Sequence, residues 1–229
     1  MILVIGGRSK IGAALIGELL DRGQRVRALV RAGEPAGRVP AGAEEVTGDL
    51  ADEGSMVAAM EGIEKAFLLS SPHPDAVGWH RHAIDAARRT EVQLLVRSSI
   101  LGADRESPAE FISAHTICDR YLEDSGLPHV IVRPNLFLQN IPESTVPSID
   151  ASGNFYVDAG QARISMVDTR DNQWFASALV GLDQDHRRSG TDVYAAQVTS
   201  NVERLAGRPP RSLDDLLGEI APSLLGNWS

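Results

Sequence analysis

The chain has 229 residues, a formal net charge of -9 at pH 7, 43% hydrophobic residues and a single cysteine. This length suits one α/β domain, residues 1–229, and is sufficient to bury a full core. The acidic balance argues against nucleic acid or an anionic membrane surface as the main partner.

Other classes of protein are disfavoured by simple patterns. Cys118 alone cannot form an intramolecular disulfide or a cysteine-rich metal site, and no His, Asp or Glu spacing is typical of zinc ligands. No apolar run approaches the ~20 residues of a membrane-spanning helix. The apolar N-terminus is typical of a core strand rather than a signal peptide. We therefore expect a cytoplasmic protein without a metal, a membrane or a nucleic-acid partner.

The first element is a short apolar strand, Ile2–Ile5, followed by a glycine turn and a helix over Gly12–Asp21. In this arrangement the glycines let the backbone approach an anion, and the free N–H groups of the first helical turn bind the pyrophosphate of a dinucleotide. Gly6 and Gly12 occupy the outer glycine positions, whereas Ser9 stands where a middle glycine is usual. The turn predicts a cofactor site, with an ordinary strand-to-helix turn as the alternative, formed by Gly6, Arg8, Ser9, Lys10, Ile11 and Gly12.

Strands and helices continue to alternate through about residue 135. We predict strands at Val26–Val30, Glu45–Thr47, Ala66–Leu69, Val92–Arg97 and His129–Arg133, and helices at Glu53–Met60, at Pro74–Arg89 and from a Ser107-Pro108 cap to Asp124. Repeated strand–helix units with short links predict a Rossmann-type, doubly wound parallel sheet with ligands beyond the carboxyl ends of its strands.

The pattern loosens after Pro134. Residues 135–165 and 183–229 are expected to form a small, loop-rich substrate lobe over the cofactor, with helices at Asp168–Leu182 and Ser212–Ala221. No internal repeat or low-complexity tract interrupts the chain.

The residue that follows the second strand bears on the choice of cofactor. An acidic side chain there would bind the ribose 2′-hydroxyl of NAD, whereas an arginine favours the 2′-phosphate of NADP. Arg31 occupies this place, no Asp or Glu lies between Gln24 and Gly33, and Arg8 offers a second cation. We expect NADP(H) to be preferred over NAD(H), the alternative being that Arg31 is a solvated surface residue.

Polar residues follow the later strands. Asp49 is a candidate for the adenine edge, and the loops after the fourth and fifth strands carry Ser70, Ser71, His73, Ser98 and Ser99. All are expected at the cofactor end of the sheet, although capping of a loop explains any single serine equally well.

His115 is the most informative side chain. Helical spacing places it on one face with Phe111, Cys118 and Leu122, directed towards the sheet, and Asp119 lies four residues on. Two interpretations stay open: a core histidine that Asp119 orients or charges, or a proton donor or substrate anchor beside the nicotinamide.

The remaining histidines look less promising for chemistry. His80 and His82 are expected on a solvated face of their helix, together with Arg81.

Several segments together resemble the NmrA-like group of atypical short-chain dehydrogenases/reductases, which includes NADPH quinone reductases and redox-sensing regulators. The resemblance covers most of residues 1–182 and rests on Val26-Arg27-Ala28-Leu29-Val30-Arg31, Gly48-Asp49-Leu50, Ser98-Ser99-Ile100-Leu101-Gly102-Ala103, His115 with Asp119, Ser125-Gly126-Leu127-Pro128, Val132-Arg133-Pro134-Asn135-Leu136-Phe137 with Asn140, and Val167-Asp168-Thr169-Arg170-Asp171. The sequence departs from the family at Ser9 and at Asp119, where glutamate is usual.

This resemblance implies roles for individual residues. It implies a substrate space near His73, His115, Phe137 and Asn140, and a cofactor that extends along Gly6, Arg8, Ser9, Gly12, Arg31, Asp49, Leu69, Ser70 and Ser98. We add Lys10, Ile11, Leu50 and Ser71 as cofactor contacts and expect His115 and Ser98 to be the catalytic residues.

The Tyr-x-x-x-Lys pair of the larger short-chain dehydrogenase class is missing. The chain's only lysines, Lys10 and Lys65, do not follow Tyr121, Tyr156 or Tyr194 at that spacing. A reaction that needs a strong protein acid is therefore disfavoured, and a conjugated acceptor such as a quinone fits better because it can delocalise the charge that a hydride brings.

We therefore expect an NADPH-dependent oxidoreductase acting on a small conjugated substrate, with a homodimer as a further expectation. Two other functions stay open: a non-catalytic NADP(H)-sensing regulatory protein, and a natural-product ketoreductase or epimerase.

Overall fold

The computed structural model describes residues 1–33, 39–140 and 166–168. Most of the predicted substrate lobe, and the helices predicted at Asp168–Leu182 and Ser212–Ala221, lie outside the described residues.

Six parallel strands form the main sheet, with helices in the connections. The strands are β1 (Ile2–Ile5), β2 (Val26–Val30), β3 (Glu44–Thr47), β4 (Lys65–Leu68), β5 (Leu94–Ser98) and β6 (His129–Val132); the helices are α1 (Lys10–Asp21), α2 (Glu53–Met60), α3 (Ala76–Arg89) and α4 (Glu110–Asp124). A separate two-stranded parallel sheet pairs β7 (Leu136–Phe137) with β8 (Met166–Val167).

The strand order of the main sheet is β3-β2-β1-β4-β5-β6, which confirms the predicted doubly wound fold. The chain first builds outwards from β1 to β3 and then crosses back to place β4 on the other side of β1. Ile5 lies opposite Leu68, so the loops that follow β1 and β4 begin side by side. A crevice between such loops is where ligands bind in this class of fold.

Both faces of the sheet are covered by apolar side chains. Leu3 and Ile5 point towards the cluster that contains residues of α2, α3 and α4, whereas Ile2 and Val4 point towards the cluster that contains residues of α1. This double burial explains why β1 and most of β4 and β5 are apolar, whereas β3, at the edge of the sheet, is mostly exposed. Arg97 in β5 is a charged side chain within this interior and is 1% exposed.

Two helices begin at residues other than those predicted, because different residues occupy their N-cap positions. Helix α1 begins at Lys10 because the Ser9 side chain caps it, its Oγ accepting the Gly12 N–H at 3.0 Å. The predicted Ser107-Pro108 cap is wrong, because α4 begins at Glu110 with Ala109 as its N-cap. Ser107 Oγ instead accepts the N–H of Ala109 at 3.2 Å, in a turn ahead of the helix.

Candidate functional site

The glycine turn after β1 is closely packed. Gly6 has φ 82°, and a Cβ there would lie 2.6 Å from the Leu69 carbonyl oxygen. A Cβ on Gly12 would lie 2.1 Å from the Gly6 carbonyl oxygen. Both positions therefore require glycine, so that the first turn of α1 can pack directly beneath the loop.

Ser9 contributes to this turn as a helix cap. Its Oγ accepts the Gly12 N–H, so the proton of the hydroxyl remains available for an anion at the helix N-terminus. The arrangement is compatible with the predicted phosphate contact of Ser9, which stays a prediction.

A cleft of about 1550 Å³ runs along the carboxyl ends of the strands. It brings together residues from the glycine turn, from the loops after β2 to β5 and from α4. Of the residues proposed from sequence, its lining contains Gly6, Arg8, Ser9, Ile11, Arg31, Asp49, Leu50, Leu69, Ser70, Ser71, His73, Ser98, His115, Phe137 and Asn140. Lys10 and Gly12 are not part of the lining.

A smaller hollow of about 430 Å³ adjoins the cleft at Arg31. Its wall also contains Thr47, Asp49, Asp52 and Ser55. The two carboxylates are engaged locally: an Asp49 oxygen accepts the N–H of Ala51 at 2.9 Å, and Asp52 caps α2. Arg31 is the basic residue in the lining of this hollow, and both carboxylates accept hydrogen bonds from backbone N–H groups of neighbouring turns.

Arg97 is at the centre of a buried polar network. Its Nη1 donates to Asp119 Oδ1, its Nε lies 3.0 Å from His80 Nδ1, and its Nη2 lies 3.2 Å from His115 Nδ1. The other carboxylate oxygen, Asp119 Oδ2, accepts from Ser99 Oγ at 2.8 Å and from Arg133 Nε at 2.9 Å. A buried charge of this kind persists only where it is paired and hydrogen-bonded, as it is here.

The solvated position predicted for His80 is wrong. The ring is 2% exposed and lies on the inner face of α3 with Ala83, Ile84 and Ala87. Its Nε2 is 2.9 Å from Ser70 Oγ, so it connects the buried network to the loop after β4. His82 is also partly buried, with Nδ1 2.9 Å from the Leu50 carbonyl oxygen.

The predicted action of Asp119 on His115 is also wrong. The Asp119 carboxylate is bound by Arg97, Ser99 and Arg133, and His115 faces a cation rather than an anion. Burial, and then the positive charge of Arg97, lower the pKa of His115 from 6.5 to about 4. The ring is therefore neutral at pH 7, and it can act there as an N–H donor rather than as an imidazolium acid.

Burial and the same cation also lower the pKa of His80 well below its ordinary value. Burial raises the pKa of the Cys118 thiol, which also lines the cleft. Cys118 is thus a poor nucleophile, because the reactive thiolate is disfavoured.

Aromatic rings form two walls of the cleft. His73 stacks on Trp79 with ring centroids 4.1 Å apart and planes inclined by 18°. Phe111 meets His115 edge-on at 4.9 Å and is 44% exposed. Such walls suit a flat, apolar ligand.

Sequence reasoning missed several residues of the site, among them His80, Arg97 and Trp79. The signal for His80 is its spacing with Ala83, Ile84 and Ala87, which is that of an inner helix face. Arg97 could be recognised as a charged residue near the end of an apolar strand, because a buried arginine is almost always paired with an acidic residue. We find no comparable signal for Trp79.

Two types of site are not found in the described ranges. Residues 1–33, 39–140 and 166–168 contain no group of three or more His, Cys, Asp or Glu placed to hold a metal ion. Over the same part of the chain, no helix combines the length and apolar character needed to cross a membrane.

The strand order, the glycine turn and the cleft beside it define a dinucleotide-binding protein of the Rossmann class. The model of the NAD(P)H-binding family matches residues 6–169. The chain belongs to this family.

Individual relatives agree with this placement. NAD(P)H azoreductase of Xenophilus azovorans is 29% identical, over 99% of this chain and 81% of its own length. The (4-alkanoyl-5-oxo-2,5-dihydrofuran-3-yl)methyl phosphate reductase of Streptomyces griseus is 31% identical, over 92% and 76%. Quinone oxidoreductase 2 of Escherichia coli is 28% identical, over 96% and 73%.

Solved structures show the same fold. The crystal structure of an NADPH-dependent quinone oxidoreductase from Escherichia coli, complexed with NADPH, matches with a TM-score of 0.80 at 19% identity. The match covers 96% of this chain and 99% of that one. The resemblance to NAD(P)H-dependent reductases, predicted from sequence, is confirmed by the family match and by these relatives, and the solved structures confirm the predicted Rossmann-type fold.

Proposed function

We propose that this protein is an NADPH-dependent oxidoreductase that transfers a hydride to a conjugated acceptor such as a quinone. The observation that carries the proposal is the continuous cleft, which joins the glycine turn at Gly6 to the aromatic and imidazole groups at Phe111 and His115. Nucleotide and acceptor can therefore occupy one space.

The residues present fit a phosphorylated nicotinamide nucleotide. The turn at Gly6 and Gly12 leaves no room for a Cβ, which lets a pyrophosphate approach the backbone at the N-terminus of α1. Arg31, with Arg8 as the second cation, would hold the 2′-phosphate that distinguishes NADPH from NADH. When bound, the nucleotide supplies the hydride.

The acceptor side of the cleft favours a delocalised substrate. His115 is neutral and can donate an N–H to an oxygen or nitrogen on which charge grows, while the proton that completes the reduction comes from water. The wall of Phe111 suits a flat ring. The relatives' names mention azo compounds and quinones, which share such a conjugated system.

Steady-state oxidation of NADPH tests this function, with a panel of quinones, an azo dye, a saturated ketone and a nucleotide sugar. We expect turnover with the conjugated acceptors and a rate near background with the other two. Preferential turnover of the saturated ketone or the sugar would instead support a ketoreductase or an epimerase. Tight, redox-selective nucleotide binding without turnover of any acceptor would support a sensor. The expected homodimer is a separate prediction, which sedimentation velocity can test.

A further inference from the structure

Arg97 constrains the protonation of two histidines at once. A guanidinium group has N–H donors and no acceptor, so a ring nitrogen bonded to it must present a lone pair. Nδ1 of His80 lies 3.0 Å from Arg97 Nε, and Nδ1 of His115 lies 3.2 Å from Arg97 Nη2. In a neutral imidazole whose Nδ1 is an acceptor, the one ring proton is on Nε2.

We propose that Arg97 is a positioning residue that fixes His80 and His115 as neutral rings protonated at Nε2, so that both serve the cleft as hydrogen-bond donors. His80 then donates from Nε2 to Ser70 Oγ, which lies 2.9 Å away. Because Ser70 accepts this bond, its own hydroxyl proton is available to a ligand in the cleft. His115 offers its Nε2–H at the acceptor side.

The carboxylate of Asp119 compensates the positive charge of Arg97, so the guanidinium stays protonated and donates to both histidines. Asp119 accepts from its Nη1 and is itself held by Ser99 and Arg133. The guanidinium of Arg97 is therefore the donor in all three contacts, to the Asp119 carboxylate and to Nδ1 of each imidazole. The titratable and charged groups that face this centre are His80 from α3, His115, Cys118 and Asp119 from α4, and Arg133 after β6.

For catalysis, the arrangement supplies two neutral donors, from Ser70 and His115, in the cleft that would hold the acceptor. Neutral donors can stabilise growing negative charge without giving up a proton, and no reorganisation is needed when their directions are already fixed. This consequence rests on the proposed reductase function. The protonation pattern itself does not, because it belongs to the protein without any ligand.

Two other histidines provide an internal control. Nδ1 of His82 lies 2.9 Å from the Leu50 carbonyl oxygen, and Nδ1 of His129 lies 2.8 Å from the Leu127 carbonyl oxygen. A carbonyl only accepts, so these rings carry a proton on Nδ1. The same chain is thus expected to contain both neutral tautomers, assigned to particular residues.

Two-bond ¹H–¹⁵N correlation spectra of the full ¹⁵N-labelled chain test the proposal without nucleotide or acceptor. The signals would be assigned from H80Q, H115N, H82N and H129N. At pH 7 we expect Nε2–H signals for His80 and His115 and, when neutral, Nδ1–H signals for His82 and His129. The first two rings should stay neutral down to pH 5. An Nδ1–H tautomer or an imidazolium at either of the first two would overturn the proposal.

The variant R97Q tests whether Arg97 is the cause, because glutamine can both donate and accept. We expect the single Nε2–H pattern at His80 and His115 to be lost and the pKa of His115 to rise, with His82 and His129 unchanged. Unchanged tautomers and titration at the first pair in folded R97Q would refute the role of Arg97. If R97Q does not fold, the wild-type spectrum still decides, because it must show Nε2–H at both rings. Absence of reductase activity alongside the expected tautomers would count against the function and not against this inference.

Discussion

Two arginines at the carboxyl edge of the sheet have opposite surroundings. Arg97 is 1% exposed and is neutralised by Asp119, so its charge organises the interior. Arg31 is exposed at the rim, beside the hollow that also contains Thr47 and Ser55. A charge at a rim can meet a phosphate from solvent, whereas a buried and paired charge can only position its neighbours.

The variant R31A should weaken NADPH binding about tenfold while changing NADH binding little. The reason is that a hydrogen bond to a charged group contributes about 1.5–3 kcal/mol, and about 1.4 kcal/mol corresponds to a factor of ten. Calorimetric titration with both nucleotides measures this difference. R22A, at the far end of α1 where Arg22 pairs with Glu18, is the matched control. Equal losses for NADPH and NADH in R31A would rule out a 2′-phosphate role.

Replacing the neutral donor at His115 should affect turnover more than nucleotide binding. We expect H115A to lower kcat about tenfold or more, since one donor to developing charge is lost, with the NADPH dissociation constant within about twofold of wild type. I117A, on the exposed side of the same helix, should change neither. An H115A enzyme with wild-type kcat would exclude His115 from the reaction.

For single residues, the spacing along a helix predicts which face a side chain occupies and so whether it points towards the sheet. The inward direction of His115 follows from its helix face, and it lines the cleft with Ser98 as expected. The pairing of Asp119 with Arg97 rather than with His115 depends on how α4 packs against β5, which helical spacing cannot give. The spacing of His80 with the apolar residues of its helix indicates burial, whereas the adjacent Arg81 is typical of a solvated face.

At the level of elements, α1 and the glycine turn are a single unit. The helix packs against the loop because Gly12 has no side chain, and it starts at Lys10 because Ser9 caps it. The strand–turn–helix order of this unit could be predicted from sequence because each step has its own local signal. The start of α4 could not, because the serine at Ser107 closes a turn instead of capping the helix.

Two glycine-to-alanine variants of α1 should therefore behave in opposite ways. In G12A the added Cβ would meet backbone, 2.1 Å from the Gly6 carbonyl oxygen and 2.7 Å from Gly7 Cα. We expect a loss of several kcal/mol in unfolding free energy, about 3 kcal/mol or more, together with loss of NADPH binding. In G17A nothing lies within 4 Å of the new Cβ, so stability should stay level or rise by up to about 1 kcal/mol.

Urea unfolding of G12A and G17A measures these opposite changes in unfolding free energy. A G12A protein as stable as wild type and still able to bind NADPH would contradict the close packing of turn and helix.

At the scale of the molecule, the candidate site lies at the carboxyl ends of the strands. Beneath it, the interior contains the charge of Arg97, which Asp119 compensates. The doubly wound parallel sheet could be predicted from the alternating elements, whereas the strand order that sets the cleft at the β1/β4 crossover comes from the structure. The polar network beneath the cleft could not be predicted, because it joins β5, α3 and α4 across long separations in sequence.

This interior makes stability depend on pH. The pKa of His115 is about 4 in the folded chain and is ordinarily 6.5, so between these values the unfolded chain takes up a proton that the folded chain does not. The unfolding free energy should therefore fall as the pH drops from about 6.5 to 4. The contribution of His115 is about 2 kcal/mol after allowance for the partial exposure of its ring.

Urea unfolding at a series of pH values checks this contribution through the variant H115N, which cannot titrate. Its unfolding free energy should decline less steeply than that of wild type across this window. Parallel curves for the two proteins would mean that the folded and unfolded pKa values of His115 are the same.

The central claim is that one cleft holds NADPH and a conjugated acceptor close enough for direct hydride transfer. A single-turnover stopped-flow experiment tests it most directly, by mixing protein loaded with NADPH against a quinone and following the nicotinamide absorbance. We expect one exponential loss of that absorbance, much faster than the reaction of free NADPH with the same quinone and slowed when the transferred hydrogen is deuterium. A rate equal to that of free NADPH, under conditions in which calorimetry shows the nucleotide bound, would contradict the claim.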